Sequence, residues 1–272
     1  MLDCAAAVMD GECSEPRDDQ LRVGVDLGTA HTVVVVTDGT GWPLAGAYRF
    51  AQVVRDGVVV DFHGAIGLVK ELKVEVEERL GRRIDRAASG YPPGVARADV
   101  RAIEHVLAGA DVRCTALVDE PTAANAVLGV RDGAVVDVGG GTTGIAVFAD
   151  GDPVTVADEP TGGTHLTLVI AGALGVSLEE AEARKRNPAY ATELFPVVRP
   201  VLEKIGTIVG DVITPHGADQ LHLVGGTCRF SGIAEVISDV TGVEARVPGD
   251  PLFVTSLGLA AHDTPSRLED QD

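Results

Sequence analysis

Lysine is scarce in this sequence, and acidic residues outnumber basic ones. Only four of the 272 residues are lysines, and 22 basic residues stand against 41 acidic ones, so the formal net charge is −19. Nucleic acids and anionic membranes are bound by clustered lysine and arginine, and this charge repels both. The sequence also lacks an apolar run of the ~18 residues that a membrane span needs, and residues 1–19 have neither the basic segment nor the apolar run that is typical of a signal peptide. We therefore expect a soluble cytoplasmic protein that binds neither nucleic acid nor a membrane.

Cysteine is also sparse. The four cysteines are far apart, with no C-x-x-C pair and no histidine at the spacing of a zinc site: Cys4, Cys13, Cys114 and Cys228. We expect reduced thiols rather than a disulfide or a metal centre. Hydrophobic residues make up 45% of the chain and charged residues 23%, as in ordinary globular proteins. At ~150 residues per domain, the length predicts about two small domains.

Two segments that are 111 residues apart share one pattern. In each, a strand carries an aspartate near its end, a turn rich in glycine and threonine follows, and a second strand returns. The first segment runs over residues 22–37 around Asp26, and the second over 134–148 around Asp137. Each predicts a β-hairpin, and their similarity at this separation predicts two related halves.

Helical and strand-like patterns alternate through the remainder, which is typical of an α/β fold. We predict helices over 65–80, 99–108, 165–174, 177–186, 194–213 and 256–261, and strands over 87–91, 114–118, 154–157 and 220–224. The predicted organisation is a flexible N-terminal tail (1–20), a first lobe (21–135, completed by 255–264), a second lobe (136–254) and an acidic tail (265–272).

The two turns have the composition of a phosphate-binding site. Glycine lets backbone amides approach a phosphate because no Cβ intervenes, and Thr29, Thr142 and Thr143 can add hydroxyl donors. Asp26 and Asp137 stand just before the turns, where a carboxylate would repel phosphate unless Mg²⁺ and its waters lay between them. Neither a Walker-type loop nor a G-x-G-x-x-G that opens a helix is present. The repeated unit therefore predicts a phosphorylated ligand with Mg²⁺.

Four motifs together resemble those of the actin-like ATPases, the superfamily of actin, MreB and the seventy-kilodalton heat-shock chaperones. In chain order they are Asp26-Leu27-Gly28-Thr29, Asp119-Glu120-Pro121-Thr122-Ala123-Ala124, Asp137-Val138-Gly139-Gly140-Gly141-Thr142-Thr143 and Leu223-Val224-Gly225-Gly226. The resemblance covers residues 21–262 and implies a two-lobed α/β fold of duplicated ribonuclease-H-like halves that binds ATP·Mg²⁺ between the lobes. The outer subdomains would be reduced, because only 47–64 and 187–219 remain to build them.

The resemblance also implies roles for single residues. Asp26 and Asp137 would hold the hydrated Mg²⁺, and Glu120 would polarise the attacking water as a base, unless it is merely a solvated turn acid. The residues implied to bind the nucleotide are Gly28, Thr29, Gly139, Gly140, Gly141, Thr142, Thr143, Gly225 and Gly226, with Glu182 and Lys185 against the nucleoside. From their spacing alone, Glu182 and Lys185 could equally form an ion pair on a helix surface.

Two departures from the heat-shock chaperones predict slow hydrolysis. Gly144 stands where those chaperones have an aspartate. Their catalytic lysine has no secure counterpart, because Lys70 lies in an amphipathic helix whose polar face is expected in solvent. Their peptide-binding domain has no counterpart after residue 262, so we expect the ATPase body or the tail to hold any client.

Three further segments resemble a family of ethanolamine-utilisation proteins that are regarded as Hsp70-type chaperone relatives and are encoded with bacterial microcompartments. They are residues 53–62, 91–94 and 177–182. This resemblance implies a weakly hydrolysing, chaperone-like ATPase whose partners are ATP or ADP and ethanolamine-utilisation enzymes or shell proteins, in the cytoplasm or at a microcompartment. A non-hydrolysing nucleotide-binding scaffold and a small-molecule kinase on the same fold are the alternatives.

Overall fold

The structure is a computed structural model that describes residues 1–12, 14–55 and 57–264. The chain divides into two units, one formed by Met1–Leu128 with the described residues from Phe253 onward, and the other by Gly129–Leu252. These boundaries differ from the predicted ones at 135/136 and 254/255, because the first of those would cut a strand. The acidic tail predicted for 265–272 lies outside the described residues.

Helices and strands are interspersed along both units. The helices, in chain order, are α1 (Leu2–Met9), α2 (Phe62–Leu80), α3 (Arg97–Gly109), α4 (Glu120–Leu128), α5 (Gly163–Leu174), α6 (Leu178–Arg186), α7 (Ala191–Ile213), α8 (Ile233–Thr241) and α9 (Val254–His262). The strands are β1 (Leu21–Leu27), β2 (His31–Asp38), β3 (Pro43–Phe50), β4 (Val54–Arg55), β5 (Val58–Val59), β6 (Arg86–Tyr91), β7 (Arg113–Asp119), β8 (Gly133–Val138), β9 (Thr143–Ala149), β10 (Asp152–Glu159), β11 (Gln220–Val224) and β12 (Glu244–Arg246).

Each unit contains a five-stranded sheet of the same topology. The strand orders are β3-β2-β1-β6-β7 and β10-β9-β8-β11-β12, with antiparallel pairing among the first three strands and parallel pairing among the last three. Asp26 and Asp137 are the penultimate residues of β1 and β8, and they pair with Val33 and Gly144 in matching register. The duplication predicted from the sequence is therefore confirmed strand by strand.

Helix α2 illustrates how sequence signals fix an element of the first unit. The Asp61 carboxylate accepts a hydrogen bond from the Gly64 amide at 2.9 Å, and Gly81 ends the helix with φ of 64°. Val69, Leu72 and Val76 on one face are fully buried against the sheet. Burying each such side chain contributes roughly 1.5–3 kcal/mol, so the apolar face holds the helix in place.

We predicted a flexible N-terminal tail, but the structure shows a helix there, and this helix, α1, packs on the first unit. Ala5, Val8 and Met9 are buried, and the Met9 sulfur fills the space that a side chain at Gly46 in β3 would need. The Cys4 thiol contacts the Pro43 carbonyl oxygen at 3.9 Å. The apolar surface that orders α1 belongs to β3, a strand we did not predict.

Only part of the predicted outer subdomain lies outside the first sheet. Residues 47–50 belong to β3, so the segment predicted over 47–64 is shortened to the two-residue strands β4 and β5 and their connections. In the second unit, α7 with the short 3₁₀ turn Pro188–Tyr190 accounts for most of 187–219. The long helix predicted over 194–213 is confirmed, and it ends at Ile213 as expected.

Candidate functional site

The turn between β1 and β2 is the candidate site of the first unit. It is closed by a hydrogen bond from the Gly28 amide to the His31 carbonyl oxygen at 3.0 Å. Asp26 is half-buried, and its carboxylate lies within 3.8 Å of where a Cβ on Gly28 would stand. Thr29 is half-buried at the turn. The predicted carboxylate, glycine and threonine of this unit are therefore neighbours.

The turn between β8 and β9 is closed in the equivalent way. The Gly139 amide donates to the Thr142 carbonyl oxygen at 3.0 Å. Asp137 and Thr142 are both buried, with 6% and 8% of their surface exposed. The hydroxyl of Thr143 donates to the Thr161 carbonyl oxygen at 2.6 Å, so this side chain is engaged within the protein rather than free for a ligand.

The first residues of α5, together with Gly162 before it, brace this second turn, a role we did not predict. The Gly163 amide donates to the Gly139 carbonyl oxygen at 2.9 Å, and the Thr164 amide donates to the Gly140 carbonyl oxygen at 2.8 Å. A Cβ on Gly162 would lie 2.8 Å from the Gly139 carbonyl oxygen and 3.0 Å from the Gly140 carbonyl carbon, so glycine is needed there. The one sequence feature that could have indicated this close contact is the pair of adjacent glycines, Gly162-Gly163.

Glu182 and Lys185 meet in the interior and not on the helix surface. Their side chains are 17% and 12% exposed, and Lys185 Nζ lies 2.6 Å from Glu182 Oε2. Lys185 Nζ also donates to the Gly163 carbonyl oxygen at 2.9 Å and to Thr167 Oγ1 at 3.0 Å. Burial lowers the pKa of Lys185, and the Glu182 carboxylate opposes that shift. Of the two interpretations of this pair, the exposed surface ion pair is therefore excluded.

The Gly225-Gly226 turn lies beside Asp137. A Cβ on Gly225 would overlap Asp137 Oδ1, and the next polar side chain, Thr227, donates from Oγ1 to the Gly139 carbonyl oxygen at 2.8 Å. Cys228 is buried and donates to the Val224 carbonyl oxygen at 3.0 Å. Burial and the negative charge of Asp137 raise the pKa of the Cys228 thiol, so it stays protonated. Gly225 thus lies against Asp137, and Thr227 contacts the turn that follows it.

Glu120 and Lys70, two further residues of the first unit that the sequence analysis considered, lie on helices and not in a turn. Glu120 is half-buried as the first residue of α4, where the Asp119 carboxylate caps the helix by accepting from the Thr122 amide at 3.0 Å. Lys70 lies 3.6 Å from Asp111, with about half of its side chain exposed. Lys70 thus lies on a solvated helix face, as its amphipathic pattern predicted.

The chemistry of each turn, taken by itself, fits a Mg²⁺–phosphate ligand. Each supplies one carboxylate, and Mg²⁺ prefers oxygen ligands while keeping waters and phosphate oxygens. Among the described residues, no group of three or more His, Cys, Asp or Glu side chains could hold a metal ion. Within the same part of the chain, the amides of Gly140, Gly141 and Thr142 have no acceptor and can donate to an anion.

In the described residues, no helix is long and apolar enough to cross a bilayer.

Comparison with known proteins first identifies the fold of the chain. Residues 45–174 match the MreB/Mbl protein family, and residues 134–258 match the cell division protein FtsA family. The structure of MreB 5 of Spiroplasma citri bound to AMPPNP superimposes with a TM-score of 0.69 at 16% identity, over 89% of this chain and 95% of that one. Together with the shared sheet topology, these matches establish the actin-like ATPase fold.

Two matches are much closer in sequence. The ethanolamine utilization protein EutJ of Escherichia coli is 40% identical over 257 residues, which cover 94% of this chain and 91% of that protein. The crystal structure of EutJ from Carboxydothermus hydrogenoformans has a TM-score of 0.89 and 47% identity, covering 94% of this chain and 95% of that one. On identity and coverage alike, this chain belongs to the EutJ family of ethanolamine-utilisation proteins, within the actin-like ATPase fold.

Proposed function

We propose that this chain binds Mg·ATP through its two aspartate–turn units and hydrolyses it slowly. The observation that carries the proposal is the duplication of one device: a buried or half-buried aspartate one residue before the end of a strand, followed by a turn closed by the same amide-to-carbonyl hydrogen bond. A structure of the same fold is bound to AMPPNP, which supports a nucleotide as the ligand.

The phosphates would be held mainly by backbone groups. Gly140, Gly141 and Thr142 offer amides without an acceptor in the described chain, and Gly28 and Thr29 form the corresponding turn of the first unit. Asp26 and Asp137 would hold the Mg²⁺, which supplies charge neutralisation at the phosphate oxygens. Gly139 stabilises its turn, while the buried Gly225 and its neighbour Gly226 would lie along the nucleotide.

Hydrolysis would depend on a water oriented by Asp137 and deprotonated by Glu120. A positioned base of this kind contributes typically 10²–10⁴-fold. Two observations favour a low rate. Gly144, the partner of Asp137 in the hairpin, brings no carboxylate, and Lys70 is paired with Asp111.

We further propose that nucleotide binding biases contact with an ethanolamine-utilisation partner, either an enzyme or a shell protein, at a microcompartment. Membership of the EutJ family supports the pathway. A ligand can shift a conformational equilibrium only if it binds the two states differently, so the partner's affinity must change between the ATP and ADP forms.

Phosphate release tests the catalytic part. We expect E120Q to bind Mg·ATP as the parent does and to release phosphate about 10²-fold more slowly. The exposed Glu235 on α8 provides E235Q as the matched control, which should behave as the parent. Equal turnover in E120Q and E235Q would contradict the role of Glu120.

A non-hydrolysing nucleotide-binding scaffold is the second candidate, favoured by Gly144 and by the ion pair of Lys70. It predicts that the parent binds Mg·ATP and releases no phosphate above a blank without protein. Release that depends on added protein and falls in E120Q would exclude it.

A further inference from the structure

We propose that the outward face of the β4–β5 hairpin, together with the exposed side of α3, binds an acidic segment of a partner protein that also carries apolar side chains. We call this face the arginine–valine surface, and it consists of Arg55, Val58, Val60, Arg97 and Arg101. The inference rests on the proposed function only in assuming a protein partner, whose chemistry it names. The proposed Mg·ATP site uses none of these residues.

The β4–β5 hairpin has one side on the core of the first unit and the other in solvent. Val54 and Val59 pair across the hairpin, and both pack in that core. Arg55 and Val58 form the next pair, and directly paired residues point to the same side of a hairpin. Val58 is 38% exposed, and Val60, which follows directly after β5, is 54% exposed. An arginine and two valines are therefore exposed together on the hairpin.

Helix α3 lies directly beside this hairpin. A Cβ on Gly57 would lie 2.6 Å from the Val95 side chain, so the hairpin packs on the segment that leads into α3. Helix α3 itself contacts β5. Arg97 and Arg101 are both exposed and are four residues apart, so they share one side of α3, opposite its buried residues. The two arginines of α3 thus extend the exposed face of the hairpin.

The arginines of this surface differ from most others in the chain. Most arginine side chains are engaged within the protein by hydrogen bonds, ion pairs or ring contacts. Within the part of the chain that the structure describes, the side chains of Arg55, Arg97 and Arg101 have no such partner. Arg97 is also the first residue of α3, where the helix dipole disfavours a cation. Intramolecular contacts therefore do not account for these charges, and helix stability does not account for Arg97.

Unpaired arginines beside exposed valines indicate the chemistry of the partner. Guanidinium groups bind carboxylates through paired hydrogen bonds, and apolar patches rimmed by polar residues are typical of protein contacts. The chain as a whole has a formal net charge of −19, which repels a nucleic acid or a second copy of the chain at long range. A nucleic acid would also bring no apolar side chain to the valines. An acidic segment with apolar side chains complements both features of the surface.

A display library of short random peptides, selected on the parent protein without nucleotide, tests this surface. We expect the selected peptides to combine aspartate or glutamate with apolar residues. R97S, R101S and V60S should each bind a selected peptide about five-fold more weakly than the parent, the effect of one exposed ion pair or a small apolar contact. R83S and V74S change exposed residues elsewhere in the same unit and, as matched controls, should bind it as the parent does. High salt should weaken the binding to the parent.

Several outcomes would overturn the proposal. They are a selection that yields no peptide, selected peptides without acidic residues, and equal weakening by R97S and R83S. Sedimentation that shows a dimer of the parent, lost in R97S, would assign the surface to a second copy and overturn the acidic partner. Binding of a single-stranded RNA probe that is lost in R97S would overturn it as well.

Calorimetry with Mg·ATP separates this proposal from the proposed function. R97S and V60S change residues outside the proposed nucleotide site and should bind Mg·ATP as the parent does. A parent that binds no Mg·ATP, yet binds acidic peptides through Arg97, would refute the proposed function and support the arginine–valine surface. A parent that binds Mg·ATP but selects no acidic peptide would overturn the arginine–valine surface alone.

Discussion

Helices α4 and α9 of the first unit cross so closely that a single methyl group should force them apart. An ideal Cβ on Gly258 of α9 would lie 1.8 Å from the Ala123 carbonyl oxygen and 2.4 Å from its carbonyl carbon. The obstacle is helix backbone and not a flexible side chain, so it cannot rotate away. Gly67 of α2 offers the matched position, because it is exposed and a Cβ there would have no neighbour within 4 Å.

The magnitude follows from two opposing effects. Alanine is favoured over glycine inside a helix by about 1 kcal/mol, and this gain applies at both sites. Overpacking a close contact costs up to about 3 kcal/mol, and it applies only at Gly258. We therefore expect G67A to raise the free energy of unfolding by about 1 kcal/mol and G258A to lower it by about 2 kcal/mol.

Urea unfolding followed by tryptophan fluorescence measures this difference. Trp42 is the single tryptophan and lies in the first unit, as do both glycines, so it reports on the right structure. A G258A protein as stable as the parent, or one that gains stability as G67A does, would refute the close crossing of α4 and α9.

Two further predictions concern buried polar groups. Burial would raise the pKa of Asp38, but hydrogen bonds from the Thr40 hydroxyl and from the amides of Arg17, Trp42 and Thr40 lower it below its ordinary value. This stabilisation is present above the unfolded-state pKa of ~3.9 and is lost as the pH falls through the folded-state pKa. D38A should therefore lower the free energy of unfolding by about 2 kcal/mol at pH 7. The difference in unfolding free energy between D38A and the parent should become smaller below about pH 4. A difference that does not change with pH would contradict this. Burial raises the pKa of Cys114 to about 11, and burial with the Asp137 charge raises that of Cys228. At pH 8 both thiols should therefore react with a maleimide more slowly in the native protein than in the unfolded chain, the buried Cys228 more slowly than the half-buried Cys114, as peptide mass mapping would reveal. Equally fast labelling of the native and unfolded protein would contradict these pKa directions.

The elements that the sequence predicted correctly are those that depend on local sequence patterns and not on contacts with distant residues. The hairpins around Asp26 and Asp137 were predicted because valine-rich strands flank glycine turns, and the amphipathic α2 and α7 because their apolar faces repeat at helical spacing. Strand β3 was missed because small residues at its centre, including Gly46, carry little β signal. The order of α1 could not be predicted without the surface that β3 provides.

The residue types of the candidate site could be predicted from the sequence, but the hydrogen bonds and ion pairs that its side chains form could not. The spacing of Glu182 and Lys185 fits a surface pair as well as a buried one, and only the fold places Lys185 against the Gly163 carbonyl. Thr227 was overlooked for the same reason, because its acceptor on Gly139 is 88 residues away along the chain. Long-range partners of this kind arise from the topology of β8 and β11, which a linear pattern does not encode.

The central claim is that Asp26 and Asp137 serve one Mg·ATP, and a double-mutant cycle tests it directly. Calorimetry would measure Mg·ATP affinity for the parent, D26N, D137N and the double variant, with D239N on the exposed face of α8 as control. Residues that act on one ligand are not additive, so we expect the double variant to lose clearly less than the sum of the single losses, by at least about 1 kcal/mol. Losses that add, or a Mg·ATP affinity that neither substitution changes, would contradict the account.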